Sequence, residues 1–332
     1  MRRFFAAVVC WLPPALLGGI TAALWLLVDR WWPMVPLGYG PRWPWLILVP
    51  IPLLAAVPWR RRFASTSVSL VIATWGILGW RVPSPWRDRG DSQAAAFSVV
   101  TFNAGLSNDG VKVVLERAAE RRADLVVVVE CPRNNLRPDL LPGGAYRHTS
   151  SGEVCVWSRS EQDPVVTMAR RPVKVIGWSG TIATLTVPGT TLGPVGVVHL
   201  RSVRNELTEF LDISEVPDQK VELSAAHQKR ISGSIFASEW FRSLDPAPSI
   251  ILGDFNLVPE SYRLRHDWRY WNDSWEEAGL GTGYTWSSSW SALRIDRVIH
   301  DRSWSTRSVS VGAGGGSDHR PVFVELVRSR PR

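Results

Sequence analysis

The sequence predicts an α/β fold preceded by membrane-spanning segments, and three observations carry that prediction. Apolar runs crowd the first 81 residues. From residue 97 the pattern changes to short β-branched runs separated by Gly and Pro turns, with helical spacing between some of them. Polar side chains suited to phosphate or metal chemistry recur where those runs end.

Residues 4–28 form an apolar run long enough to cross a bilayer and too long for the apolar core of a signal peptide. Residues 43–59 and 63–81 are predicted as two further spans, the first of them short and interrupted by Pro44, Pro50 and Pro52. Arg2-Arg3 and Arg60-Arg61-Arg62 mark cytoplasmic ends, because cationic loops stay inside. Trp31, Trp32, Trp43 and Trp59 cluster near segment ends, as interfacial aromatics do. Three crossings from an inside start make this a multi-pass protein of the cell membrane. They place the rest of the chain outside the cytoplasm; two crossings would leave it inside. Residues 1–82 are thus read as the membrane region, 83–96 as a linker rich in Pro, Arg, Asp and Ser, and 97–332 as the catalytic domain.

The formal net charge of +8 resembles a nucleic-acid signature until it is located. Residues 1–90 hold ten Arg, no Lys and only Asp29 and Asp88 as acids, so the whole excess lies there. The chain beyond residue 90 is electrically balanced and lacks the footprint of a phosphate-backbone binder. Three cysteines are too few for a disulfide framework. Cys131 and Cys155 would pair in an oxidising compartment, but the composition favours small buried thiols.

Along the domain, residues 97–102 read as a strand ending at Asn103, and residues 111–122 have helical spacing. Residues 124–129 are nearly pure Val, which implies burial on both faces, and the run ends on Glu130. An acid at a sheet rim is a candidate ligand for a hard cation, or simply a solvated loop acid. Strands are expected over 153–157, 181–187 and 194–200, the last carrying His199. A lone His in such a run is either a core residue or a functional one. Residues 201–220 read as a polar loop and 221–244 as a long helix, with Leu223, Ala226, Ile231, Ile235 and Trp240 available for its inner face.

Residues 249–259, Ser-Ile-Ile-Leu-Gly-Asp-Phe-Asn-Leu-Val-Pro, are the most informative stretch. The apolar run reads as a buried strand, and Gly253 lets the backbone turn so that Asp254 and Asn256 emerge on one side. A carboxylate and a carboxamide there suit phosphate chemistry, although both residues are ordinary turn formers. Asp296 lies in a further strand, and Ser-Asp-His-Arg-Pro, with Asp318 and His319, comes after a glycine run and precedes a last strand.

These motifs, from Thr-Phe-Asn at Asn103 to Ser-Asp-His-Arg-Pro at His319, resemble the endonuclease/exonuclease/phosphatase superfamily, the group that includes DNase I. The resemblance implies a four-layered α/β sandwich of two β-sheets with flanking helices. It also implies hydrolysis of a phosphate ester by in-line attack of water with a divalent cation, Mg²⁺ or Mn²⁺. Carried over, Glu130 would hold the metal, with Asn103 and Asp318 positioning metal or phosphate. Asp254 and Asn256 would orient the attacking water and the phosphoryl group. His319 would pair with Asp296, and His199 would contact the phosphate or protonate the leaving oxygen, with Glu153 as its orienting acid.

Around Asp254 and Asp296 the flanks typical of the inositol 5-phosphatase branch are missing, so the substrate stays open among a lipid headgroup, an envelope phosphodiester and nucleic acid. No obligate protein partner is implied. The leading expectation is a membrane-anchored phosphoesterase; a nuclease and a catalytically silent binding module are the alternatives.

Overall fold

The computed structural model describes residues 1–83, 95–132, 146–169, 180–190, 192–211 and 216–329. Most of the expected linker lies outside the described residues. The chain begins with α1 (Arg2–Leu27), then a short α2 (Val35–Tyr39) and α3 (Trp59–Val71), which continues as a π-helical turn over Ile72–Ile77. The second predicted span, 43–59, is not one helix, a correction to the expectation. It forms two 3₁₀ stretches, Trp43–Leu48 and Ile51–Leu54, because Pro44, Pro50 and Pro52 remove the donors an α-helix needs. By length and composition, one described helix, residues 3–27, is long and apolar enough to cross a membrane.

The three limbs nevertheless form one bundle with a defined direction. Cys10 Sγ reaches Arg61 O, Ser65 Oγ bonds Cys10 O, and Thr21 lies against Gly76. Helices α1 and α3 therefore run parallel, and the proline-broken stretch between them runs back. Trp43 starts that return beside Trp290, whereas Arg62 Nε caps Val57 O at its far end.

The remaining elements build two six-stranded sheets. In chain order they are β1 (Phe97–Asn103), α4 (Asn108–Glu120), β2 (Leu125–Val129), β3 (Arg147–Ser151), β4 (Val154–Ser158), β5 (Val165–Met168), β6 (Gly180–Thr186) and β7 (Val195–Leu200). Helices α5 (Arg204–Leu211) and α6 (Val216–Ser243) come next, then β8 (Ile250–Asp254), α7 (Tyr262–Asp267), β9 (Asn272–Asp273) and α8 (Ser274–Ala278). The chain closes with β10 (Trp286–Ser287), β11 (Ala292–Leu293), β12 (Asp296–His300), β13 (Trp304–Val311) and β14 (Val322–Arg328). One sheet has the order β13-β14-β1-β2-β4-β3 and the other β5-β6-β7-β8-β12-β9, each with one parallel pair, β1/β2 and β7/β8.

Strand alternation distributes the core among layers. Val99, Leu125, Val127 and Val129 face Val195, Val197, Ile250 and Leu252 of the other sheet. Val100, Phe102, Val126 and Val128 point outward onto Val111, Val114 and Leu115 of α4. Ile251 and Val198 meet Ala237 and Phe241 of α6 on the opposite side. The order helix, sheet, sheet, helix is a DNase I-like α/β sandwich, and burial on both faces explains the unbroken Val run of β2.

Three expectations change. Part of the predicted loop over 201–220 is helix α5. The buried stripe of α6 runs through the expected Leu223 and Ala226 and then His227, Arg230, Ser234, Ala237 and Phe241, with Trp240 partly buried against it, rather than through Ile231 and Ile235. Cys131 and Cys155 form a disulfide rather than free thiols. The register sets them together: Val128 pairs with Cys155, and Cys131 N donates to Glu153 O at 2.9 Å.

The amino-terminal bundle docks on the second sheet's rim through buried ion pairs. Arg42 grips Glu260 with both guanidinium nitrogens at 2.7 and 2.8 Å, and Arg230 bonds Asp29, whose other oxygen accepts from Tyr39 Oη at 2.9 Å. All five side chains are buried. Val28, Val35, Tyr39 and Ile77 share one apolar cluster with Leu207, Val258, Leu293 and Ile295 of the sandwich.

Candidate active site

Topology gathers the polar residues at one rim. Asn103 ends β1 and Glu130 comes directly after β2, and because these strands are parallel both ends lie together. His199 and Asp254 occupy the corresponding ends of parallel β7 and β8 and are direct partners in the ladder. Strand β12 runs the other way, so its first residue, Asp296, pairs with Asp254. Glu153 and His319 precede β4 and β14, which are antiparallel to β2 and β1, and they arrive at the same edge.

The backbone is bent to serve this convergence. Glu130 (φ 47°) and Asn256 (φ 48°) adopt the left-handed conformation that non-glycine residues avoid. Gly253 (φ 131°) lies so close to Val198 O that a Cβ there would stand 1.9 Å from it. Only glycine lets β8 approach β7 at the point where Asp254 emerges.

Asn103 holds two carboxylates with one amide: its Nδ2 donates to Glu130 Oε1 at 3.1 Å and to Asp254 Oδ2 at 3.0 Å. Its Oδ1 accepts from Gly105 N at 3.0 Å. Asp254 also accepts from Asn256 N at 2.9 Å and Asn256 Nδ2 at 3.1 Å, while Asn256 is tied to Leu200 O at 2.8 Å. Burial and the Asp296 charge push the Asp254 carboxyl up to about 6.

Two imidazoles flank this pair. His199 sits between Glu153 Oε1, 2.7 Å from Nδ1, and Glu130 Oε1, 3.2 Å from Nε2. Burial opposes its charge, but the two carboxylates outweigh burial and raise His199 to about 10. The same hydrogen bond is the main cause that lowers Glu130 to about 2. His319 Nδ1 bonds Asp296 Oδ2 at 2.8 Å, and its Nε2 lies 3.9 Å from Asp254 Oδ2. Against the effect of burial, Asp296 raises His319 to about 9.

The structure thus brings Asn103, Glu130, Glu153, His199, Asp254, Asn256, Asp296 and His319 together. Asp318 reaches the rim of the same cleft, where its carboxylate accepts from Trp286 Nε1 at 2.8 Å and from Arg204. Three contributors escape a reading of the sequence. Thr285 Oγ1 accepts from the Ile295 and Asp296 amides, Ser317 Oγ fixes Asn103 O, and Arg230 donates to Asn256 O at 3.3 Å. Ser317 is within reach of such a reading, since it opens the Ser-Asp-His motif. Thr285 and Arg230 carry no local signal.

The donor set suits a divalent cation. Glu130, Asp254 and Asp296 bring three carboxylates to one small volume, and buried Asp296 Oδ1 has no hydrogen-bond partner. Ligand atoms of Asp254, Asp296 and His319 all lie within 4.8 Å of one another. Carboxylate oxygens of this kind suit a hard divalent cation, with His319 adding one imidazole nitrogen.

The model of the endonuclease/exonuclease/phosphatase family matches residues 100–319, a span that contains every one of these side chains. The chain belongs to this family. It is accordingly a hydrolase acting on phosphate ester bonds. A search of the curated proteins finds no match. Among solved structures, a 3′ phosphatase from Neisseria bound to a product DNA hairpin is 19% identical with a TM-score of 0.51, covering 70% of this chain and 99% of that one. An endonuclease/exonuclease/phosphatase family protein from Bacteroides thetaiotaomicron is 17% identical with a TM-score of 0.49, covering 72% of this chain and 100% of that one. At these identities the likeness to the Neisseria enzyme shows the shared fold. The family's sandwich occupies the chain from β1 onward, and the amino-terminal bundle stands outside the matched residues.

Proposed function

We propose that this family member is a membrane-anchored phosphoesterase dependent on Mg²⁺ or Mn²⁺, with its active domain outside the cytoplasm. The observation that carries the chemistry is the arrangement around Asp254: a buried carboxylate of raised pKa held by Asn103 and Asn256, with an imidazolium-carboxylate pair on either side. Asp254 accepts the proton of the attacking water, and Asn256 fixes the carboxylate that does so. His319, oriented by Asp296, and His199, oriented by Glu153, present N–H donors to the phosphate oxygens as negative charge gathers there. The Nε2 proton of His199, accepted by Glu130 in the resting arrangement, is the one available to the leaving oxygen. Glu130 would hold the cation, Asn103 keeps Glu130 in register with Asp254, and Asp318 lies at the rim of the same cleft. A bound divalent ion would offset the carboxylate charge and polarise the phosphoryl group.

The membrane placement rests on the bundle. Of the exposed large apolar side chains among the described residues, 23 of 28 fall in residues 1–82, which is the surface a lipid phase covers. The cationic ends of α1 and α3 lie on the same side, and the sandwich lies on the opposite one, so the Arg-rich end faces the cytoplasm and the catalytic body does not. Although broken, the middle stretch retraces the bundle's length, with Ile51–Leu54 packed against both α1 and α3. A disulfide between Cys131 and Cys155 agrees with an oxidising compartment.

The test is hydrolysis of bis(p-nitrophenyl) phosphate by the full chain with Mg²⁺ or Mn²⁺. Glu130→Ala is expected to lower kcat/KM by about three orders of magnitude with an unchanged circular dichroism spectrum, on the scale of losing a main charge-stabilising group. Undiminished turnover by that variant in EDTA would end the metal-dependent reading.

A further inference from the structure

We propose that the substrate is a membrane-lipid phosphoester whose apolar chain lies in the cleft joining the catalytic carboxylates to the amino-terminal bundle; this rests on the phosphoesterase reading above. The cleft is narrow, with about 50 Å³ open to water-sized groups. Glu130, Asp254, Asn256 and His319 form one wall. The facing wall is apolar, with Leu207, Trp290 and Leu293 from the sandwich and Tyr39 from α2. A residue of the bundle therefore lines the same cavity as the catalytic aspartate.

The apolar wall is also continuous with the surface that lipid would cover. The Trp43 indole donates to Trp290 O at 3.2 Å, and Trp43, 64% exposed, opens the second apolar stretch at the end of the bundle nearest the sandwich. A largely exposed indole that donates from its polar edge suits a bilayer interface. The cavity wall and the membrane boundary are thus joined by a single side chain.

A second lobe departs from the same centre in the other direction. It is wider, about 370 Å³ around Glu153, Thr181, Arg201 and Glu206, and meets the first at Glu130, Ser202 and Arg204. A phosphate at the centre consequently has a polar wall on one side and an oily wall on the other. That asymmetry matches an amphiphile, with the headgroup in the polar lobe and the chain along Tyr39 and Trp290. A sugar-phosphate backbone would bring neighbouring charged phosphates against the apolar wall without partners, which is unfavourable. It would also want cationic tracks, and beyond residue 90 the chain carries no net charge.

The experiment uses the full chain in nanodiscs with p-nitrophenyl alkyl phosphates from methyl to octyl, held at monomeric concentrations. Because the leaving group is constant, kcat/KM is expected to rise about three- to fourfold per methylene over the shorter members, as burial of each methylene predicts. Trp290→Asp should flatten that rise, and Trp290→Phe should keep it. In vesicles, a lipid phosphodiester should be hydrolysed at least about tenfold faster than its deacylated glycerophosphodiester, the same burial acting over a longer chain. A series independent of chain length, or a thymidine dinucleotide turned over better than the octyl ester, overturns the lipid assignment while leaving the phosphoesterase intact. Absence of turnover for every ester, methyl included, removes the phosphoesterase reading itself.

Discussion

At the scale of single residues, the site works by opposing the ordinary ionisation of its groups. Asp254 is pushed up to about 6 by burial and the Asp296 charge, and the base must be ionised to take a proton from water. His319, raised to about 9, must stay protonated to donate. The signs are opposite, so activity should fill the window between them. We expect kcat/KM to fall about tenfold per pH unit below about 6, where Asp254 binds a proton, and again above about 9, where His319 loses one. Asp296→Asn should move the alkaline limb toward lower pH, because His319 then lacks its counter-charge. An alkaline limb that stays in place in that variant would exclude His319 as the acid.

At the scale of elements, the decisive contact is between two turns rather than two strands. The turns after β2 and before β4 each present one acid to His199, and the Cys131–Cys155 bond ties them together. Loss of the cross-link frees a loop spanning 24 positions, which chain entropy puts at about 3 kcal/mol of stability. The paired replacement Cys131→Ser with Cys155→Ser should therefore lower the melting temperature and reduce kcat several-fold as the His199 clamp loosens. A variant that melts earlier with kcat untouched would confine the disulfide to stability.

Helix α6 supplies a second such link. Arg230 reaches Asn256 O on one side and Asp29 on the other, so a loop of the amino-terminal bundle steadies the turn that carries a site residue. Asp29→Ala would strand a buried guanidinium, which costs about 3–5 kcal/mol where a partner is removed from a buried pair. Reduced thermal stability and reduced kcat are both expected in the solubilised protein, and unchanged values of both would dissolve the link.

At the scale of the whole molecule, the bundle and the sandwich are one packing unit. The apolar cluster of Val28, Tyr39, Val258 and Leu293 is shared between them, and the Arg42–Glu260 pair is buried within that junction. On the proposed membrane placement, a domain built this way keeps a fixed attitude to the bilayer, which a flexible tether would not provide. A reporter enzyme fused after Arg332 should then be active only if it is a type that functions outside the cytoplasm. Activity from a cytoplasm-only reporter would invert the assignment.

The α/β alternation, the polar residues at strand ends and the apolar, Arg-bounded start of the chain are all legible without the fold. These are local properties: a Val run between turns reads as a buried strand, and an acid directly after it must sit at the rim. Pairings are another matter. Nothing near Cys131 or Cys155 in sequence announces the β2/β4 register that joins them, and Thr285 and Arg230 act through partners far along the chain. The buried stripe of α6 is hidden for the same reason, since Arg230 looks like a solvent-facing residue until Asp29 arrives from the bundle to pair with it, and burial beside Arg230 keeps His227 uncharged. That the proline-broken middle stretch returns along the bundle is likewise decided by packing, because only the fold brings Ile51–Leu54 against α1 and α3.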